Sequence, residues 1–174
     1  RFAEATAALT VGDPLDPETE VGPLATRSGR DELASLVEDA VAKGAKVLAG
    51  GGPLEREGWF YAPTVLAEVG EDARIVQEEA FGPVATLYRA EDAADAARIA
   101  NQTRFGLSSS VWTNDPAEQE WFVRNLEAGA VFVNGMTVSF PELPFGGVKA
   151  SGYGRELAAA GIREFTNLKT VWQG

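Results

Sequence analysis

Residues Val84–Asn134 read VATLYRAEDAADAARIANQTRFGLSSSVWTNDPAEQEWFVRNLEAGAVFVN. Three short β-prone runs lie in this stretch, at Val84–Tyr88, Leu107–Thr113 and Ala130–Asn134. Two helix-prone runs separate them. Asp92–Asn101 carries Ala93, Ala96, Ala97, Ile99 and Ala100 as its apolar residues, and Gly106 divides it from the next strand. Asn114–Glu127 opens on Asn-Asp-Pro, the N-cap and N1 pattern of a helix start, and ends near Gly129. Strands that alternate with helices of this length argue an α/β fold: a largely parallel open sheet with flanking helices. Ala130–Asn134 is continuously apolar until its last residue, which predicts strands buried on both faces.

Upstream, Arg1–Leu9 reads as helix and Gly12–Leu24, GDPLDPETEVGPL, as a loop rich in proline and acids. Thr26 is placed to cap a second helix. From there Leu33, Leu36, Val37, Ala40 and Val41 recur at helical spacing as one apolar stripe, and Gly44 sits where a C′ glycine belongs. Lys46–Ala49 predicts a short strand closed by Gly50–Gly52. Trp59–Val69 is strand-like but contains Pro63, which predicts an irregular or edge segment. Downstream, Ser139–Gly154 is a glycine- and proline-rich loop. Glu156–Phe165 is a short amphipathic helix interrupted by Gly161, and Thr170–Gln173 is a terminal β segment that leaves an open edge unless paired.

The balance of 15 Lys+Arg against 26 Asp+Glu gives a net charge of −11, and no basic run is present. Nucleic-acid binding is therefore not expected. No apolar stretch approaches the roughly 18 residues of a membrane-spanning helix, and no signal peptide is recognisable, so neither a membrane nor secretion is expected. The chain contains no Cys and no His. Within these residues that excludes a thiol nucleophile, a Ser–His–Asp triad and the usual zinc ligands. The start at Arg1, in helix-like sequence, reads as a piece of something longer.

Gln77–Val84, QEEAFGPV, is the one stretch that looks chemically armed. If Gln77–Phe81 is extended, Gln77, Glu79 and Phe81 share one side and Glu78 and Ala80 the other. A carboxylate and an aromatic ring then stand on one face. The carboxylate suits two neighbouring hydroxyls, as on a ribose, and the ring suits a planar heterocycle. Gly82-Pro83 turns the chain. The bland alternatives are solvated acids at Glu78 and Glu79 and core packing at Phe81. Adjacent strand residues face opposite ways, so Glu78 and Glu79 cannot flank one glycosidic bond. Gly146–Gly154, GGVKASGYG, fails both the Walker A and the dinucleotide-fingerprint patterns; its glycines predict a tight loop with close backbone approach. Lys149 reads as a surface charge, and Ser139 has no base in this chain and so is no nucleophile.

Six motifs together resemble the C-terminal part of an aldehyde dehydrogenase. They are GDPLDPETEVGPL (Gly12–Leu24), GAKVLAGG (Gly44–Gly51), QEEAFGPV, NQTRFGLSSSV (Asn101–Val111), Val133-Asn134 and PFGGVKASGYGRE (Pro144–Glu156). The resemblance implies oxidation of an aldehyde to an acid with NAD or NADP, through a Cys thioester. It implies that residues 1–157 are the part of the catalytic domain after that Cys, and 158–174 an oligomerisation segment that pairs with another subunit in a homodimer or homotetramer. Glu79 then binds the nicotinamide ribose, Phe81 packs on the nicotinamide, and Phe145 and the loop bearing Ser139 line the aldehyde entrance. The nucleophile, its oxyanion Asn, the general-base Glu and the Rossmann domain would all lie upstream, so the chain alone should be inactive. Val133–Glu156 and Ile162–Trp172 most resemble the succinate-semialdehyde dehydrogenase group, with Ser139 where that group hydrogen-bonds the substrate carboxylate. A cytoplasmic location is implied as well. The alternative is a non-catalytic α/β module derived from the same family.

Overall fold

Thr26 begins the element on which the first half of the chain is built. The computed structural model describes all residues 1–174. The backbone packs as two units, Arg1–Arg89 and Ala90–Gly174. In the first, α1 spans Phe2–Ala7 and α2 spans Arg27–Ala42. The Thr26 hydroxyl accepts from the Gly29 N–H at 3.0 Å, satisfying one of the open donors of the first turn. At the other end Gly44, with φ +99°, donates to Val41 O at 3.0 Å while Ala45 donates to Ala40 O at 2.9 Å. This pair of bonds is a Schellman stop, and it needs the left-handed residue that glycine supplies.

Leu33, Leu36, Val37 and Ala40 of α2 are buried as the stripe predicts, but Val41 is 43 % exposed, at the margin of that stripe. Strands β1 (Lys46–Ala49), β2 (Thr64–Ala67) and β3 (Val84–Leu87) form a sheet in that order. β1 and β2 are antiparallel with an irregularity between Val47 and Ala49; β2 and β3 are parallel, with Thr64 opposite Val84. The proline at 63 did not make its segment an edge. Pro63 lies one residue before the ladder, where no donor is needed, and β2 is the central strand. Leu33, Val37, Ala40, Ala45, Tyr61, Leu66, Val69 and Ala73 close the core. Thr64, buried in that strand, has its hydroxyl satisfied by Ala62 O at 2.7 Å and by the Gly51 N–H at 2.9 Å.

The second unit holds α3 (Ala93–Asn101), β4 (Phe105–Gly106), β5 (Ser108–Val111), α4 (Pro116–Asn125), β6 (Ala130–Val133), β7 (Val148–Lys149) and α5 (Ala158–Glu164). Asp92 and Asp115 cap α3 and α4, and Pro116 stands in the first turn of α4. β5, α4 and β6 make a crossover whose strands pair in parallel, Ser108 to Ala130 through Val111 to Val133. β4 and β7 pair antiparallel. The α/β class is therefore observed, with parallel pairing at β2/β3 and β5/β6 and antiparallel pairing elsewhere.

Burial on both faces holds for β2 but not for β3 or β6, whose residues are half-buried or exposed. Gly161 does not interrupt its helix. It lies buried inside α5, where a Cβ would stand 2.7 Å from the Glu156 carbonyl carbon, so its role is close packing. Thr170–Gln173 forms no strand within this chain, and Val171 and Trp172 are 79 % and 86 % exposed. No helix is long and apolar enough to cross a membrane.

Candidate functional site

Gln77–Phe81 is not a strand. A 3-10 turn at Arg74–Val76 ends in Gln77, with φ −116° and ψ −17°, and both Gln77 and Glu78 donate their N–H to Arg74 O, at 2.9 and 2.8 Å. The turn arises because Glu78 reaches back four residues. Its carboxylate takes two hydrogen bonds from the Arg74 guanidinium, 2.9 Å from Nε and 2.8 Å from Nη2. That bidentate pair holds the Glu78 carboxyl below its ordinary range, and the same bonds raise Arg74. Glu78 is thus occupied: it is the exposed acid that the bland reading expects, but one held in an ion pair.

Alternation survives only in the last three residues of the run. Glu79 and Phe81 are exposed, Phe81 by 80 %, while Ala80 between them is half-buried against the core. The Glu79 carboxylate has no hydrogen-bond or ion-pair partner, so both oxygens are open to incoming donors. Gly82 closes the segment. A Cβ there would stand 2.5 Å from Leu33 Cδ2, so the chain passes directly over the core leucine before Pro83 O accepts from the Thr64 N–H at 2.8 Å. Chemically this is a free carboxylate and a free ring, two residues apart, beside a braced turn.

In the second unit Phe145 is half-buried and exchanges backbone bonds with Glu156, 2.9 Å and 2.8 Å. It lines a cleft of about 410 Å³ with Gly146, Gly147, Ser151, Tyr153 and Arg155 among others. Arg155 fastens that loop, its Nη1 donating to Gly147 O at 3.0 Å and Gly154 O at 2.6 Å. Ser139 is exposed and does not line this cleft, so the structure does not join it to Phe145. The tight loop expected from the glycines is present: ideal Cβ atoms at Gly146 and Gly147 would meet Gly154 O at 2.7 Å and Ser151 Cβ at 2.4 Å.

Lys149 is no free surface charge. Its Nζ donates to Asn101 O at 2.8 Å and Thr103 O at 3.3 Å and pairs with Glu127 at 2.6 Å, its side chain 24 % exposed. Sequence reasoning missed this clasp, because its partners are backbone carbonyls nearly fifty residues away. It also missed Arg74, although the four-residue spacing to Glu78 was a legible signal. Tyr61, in the first core, has a buried hydroxyl with no protein partner; burial, then the charge of Glu38, pushes it up to about 12.

The sequence profile of the aldehyde dehydrogenase family matches residues 1–171. The chain belongs to the aldehyde dehydrogenase family. It is 60 % identical over all 174 residues to "Succinate-semialdehyde dehydrogenase [NADP(+)] 1" of Mycobacterium ulcerans, and spans 38 % of that protein's length. Among solved aldehyde dehydrogenases, a variant from Bacillus cereus superposes with a TM-score of 0.93 at 32 % identity, covering 99 % of this chain and 35 % of the other. A double variant of betaine aldehyde dehydrogenase from Staphylococcus aureus, solved with NAD+, gives a TM-score of 0.89 at 33 % identity, covering 94 % of this chain and 34 % of the other. The α/β units described above are thus those of an aldehyde dehydrogenase chain, and they correspond to little more than a third of the length of these relatives.

Proposed function

We propose that these residues are the part of an NAD(P)-dependent succinate-semialdehyde dehydrogenase that follows its nucleophile, with 1–157 in the catalytic domain and 158–174 serving oligomerisation. The observation that carries this is the pair Glu79 and Phe81: an unengaged carboxylate and an exposed ring on a braced turn. Two free carboxylate oxygens fit the vicinal hydroxyls of a ribose, and the ring fits one face of a nicotinamide. Bound NAD(P) supplies the hydride acceptor. Glu79 orients the cofactor through its ribose, and Phe81 keeps water from one face of the heterocycle. The name of the Mycobacterium ulcerans relative supports NADP as the partner.

Ser139 donates its hydroxyl to the substrate carboxylate, and Phe145 lines the aldehyde entrance. The lack of Cys and His means that the nucleophile is supplied by residues other than these. The exposed apolar tail, with Val171 and Trp172, supports pairing with another subunit in a homodimer or homotetramer, in a cytoplasmic enzyme. Two measurements test the reading. The isolated 174-residue chain, mixed with succinate semialdehyde and NADP, is expected to form no NADPH. In the whole enzyme, Ser139→Phe is expected to raise the KM for succinate semialdehyde more than that for a neutral aldehyde; an equal effect on both removes Ser139 from substrate recognition.

A further inference from the structure

We infer that Arg74 and Glu78 are positioning residues for the cofactor-binding pair Glu79 and Phe81, and that they act by clamping the intervening turn onto helix α2. The inference rests on the assignment of that pair to the cofactor.

The clamp has three ties. The Arg74 N–H donates to the Asp39 carboxylate at 2.8 Å, Arg74 Nη1 donates to Ser35 Oγ at 3.0 Å, and Arg74 Nε and Nη2 hold Glu78. Asp39 and Ser35 both lie on α2, one turn apart, on the helix whose Leu36, Val37 and Ala40 are at most 1 % exposed. Lys43, which caps the end of that helix, adds a tie, its Nζ pairing with Asp39 at 2.9 Å and donating to Asp72 O at 2.7 Å. Asp39 is held below its ordinary range, first by the Arg74 N–H and then by Lys43.

Each nitrogen of the Arg74 guanidinium therefore directs a bond either at α2 or at the residue that precedes Glu79. One guanidinium fixes the distance between a rigid helix and the start of the clamp pair, because its planar fork leaves little freedom once both edges are engaged. On the other side of the pair, Gly82 passes over Leu33 of the same helix. Glu79 and Phe81 thus project from a three-residue bridge anchored at both ends on α2, with half-buried Ala80 as its middle support. All three Arg74 guanidinium nitrogens and both Glu78 carboxylate oxygens are engaged within the protein, whereas the Glu79 carboxylate is not, and this separates their role from that of Glu79. A misplacement of about 1 Å in a positioned group has large consequences for the binding of a ligand it must meet with several bonds.

The test uses the whole enzyme. NADPH affinity is measured by fluorescence titration, cofactor and aldehyde KM by steady-state kinetics, and folding by thermal unfolding, for Glu78→Gln, Arg74→Gln, the double variant, Ser35→Ala and Glu79→Gln. Glu78→Gln and Arg74→Gln are expected to weaken NADPH binding about three- to tenfold, the size typical of changes that act without touching the ligand. The aldehyde KM stays constant, and the double variant is no worse than either single one. Ser35→Ala, which removes one tie and leaves the ion pair, shows a smaller loss in the same direction. Unchanged NADPH affinity in Glu78→Gln and Arg74→Gln, with weakened affinity in Glu79→Gln, overturns the positioning role alone. Unchanged affinity in Glu79→Gln overturns the cofactor assignment itself. If Arg74→Gln does not fold, Glu78→Gln and Ser35→Ala decide the matter by the same readings.

Discussion

Gly129→Ala is expected to be among the most damaging single-methyl additions this chain can receive. Gly129 precedes β6 and donates its N–H to Gly106 O at 3.1 Å. A Cβ on it would lie 1.7 Å from Gly146 O, 2.8 Å from the Gly146 carbonyl carbon and 3.1 Å from Gly147 Cα. Real Cβ contacts keep at least 3.0 Å, so one backbone must move by at least 1.3 Å. All three neighbours are main chain, and no side chain can swing aside. The loop cannot yield freely either, since Gly146 and Gly147 are themselves hemmed in by Gly154 O and Ser151, and Arg155 ties Gly147 O.

Overpacking a tight site costs about 1–3 kcal/mol, and a backbone-on-backbone clash belongs at the top of that range, about 3 kcal/mol. Urea unfolding followed by tryptophan fluorescence gives the value. Gly52→Ala is the control: nothing lies within 4 Å of its Cβ and its φ is ordinary, so its effect stays within about 1 kcal/mol. If Gly129→Ala also falls within about 1 kcal/mol of the parent, the interlocked glycine loop is not a constraint and the reasoning fails.

Acid should loosen the clamp on α2. Asp39 and Glu78 both titrate below their ordinary values of 3.8 and 4.5, facing Arg74 and Lys43, so their folded-state contribution is complete above those values and is lost as pH falls through the lowered ones. Thermal unfolding is expected to lose this contribution below about pH 4.5, and Asp39→Asn with Glu78→Gln to flatten that slope; an unchanged slope counts against the clamp. Tyr61→Phe removes a buried hydroxyl that meets no protein partner, and is expected to be neutral or to stabilise by about 1 kcal/mol in urea unfolding, whereas a clear loss would show that the hydroxyl is satisfied. Lys149→Met, which abandons two carbonyls and Glu127, is expected to cost about 1 kcal/mol, and much less in a Glu127→Gln background if the ion pair carries it.

Local signals in the sequence determined a great deal. Thr26, Asp92 and Asp115-Pro116 begin their helices and Gly44 ends one, because caps depend on residues within one turn. The stripe Leu33–Ala40 marks the core, and the alternation from Val84 to Asn134 fixes the α/β class, because periodicity reports which face is buried. Six motifs in order identified the family. What the sequence did not carry was set by contacts distant along the chain. Pro63 lies before a central strand, Lys149 clasps carbonyls at 101 and 103, and the pairing of strands is mixed, because these depend on which segments meet. The run Gln77–Phe81 shows the division most clearly. Its residue types pointed to Glu79 and Phe81, but its period suggested a strand. The local bond from Arg74 to Glu78 makes it a turn, and only the tertiary structure supplies the anchors on Ser35 and Asp39 that hold that turn against the weak extended preference of five residues.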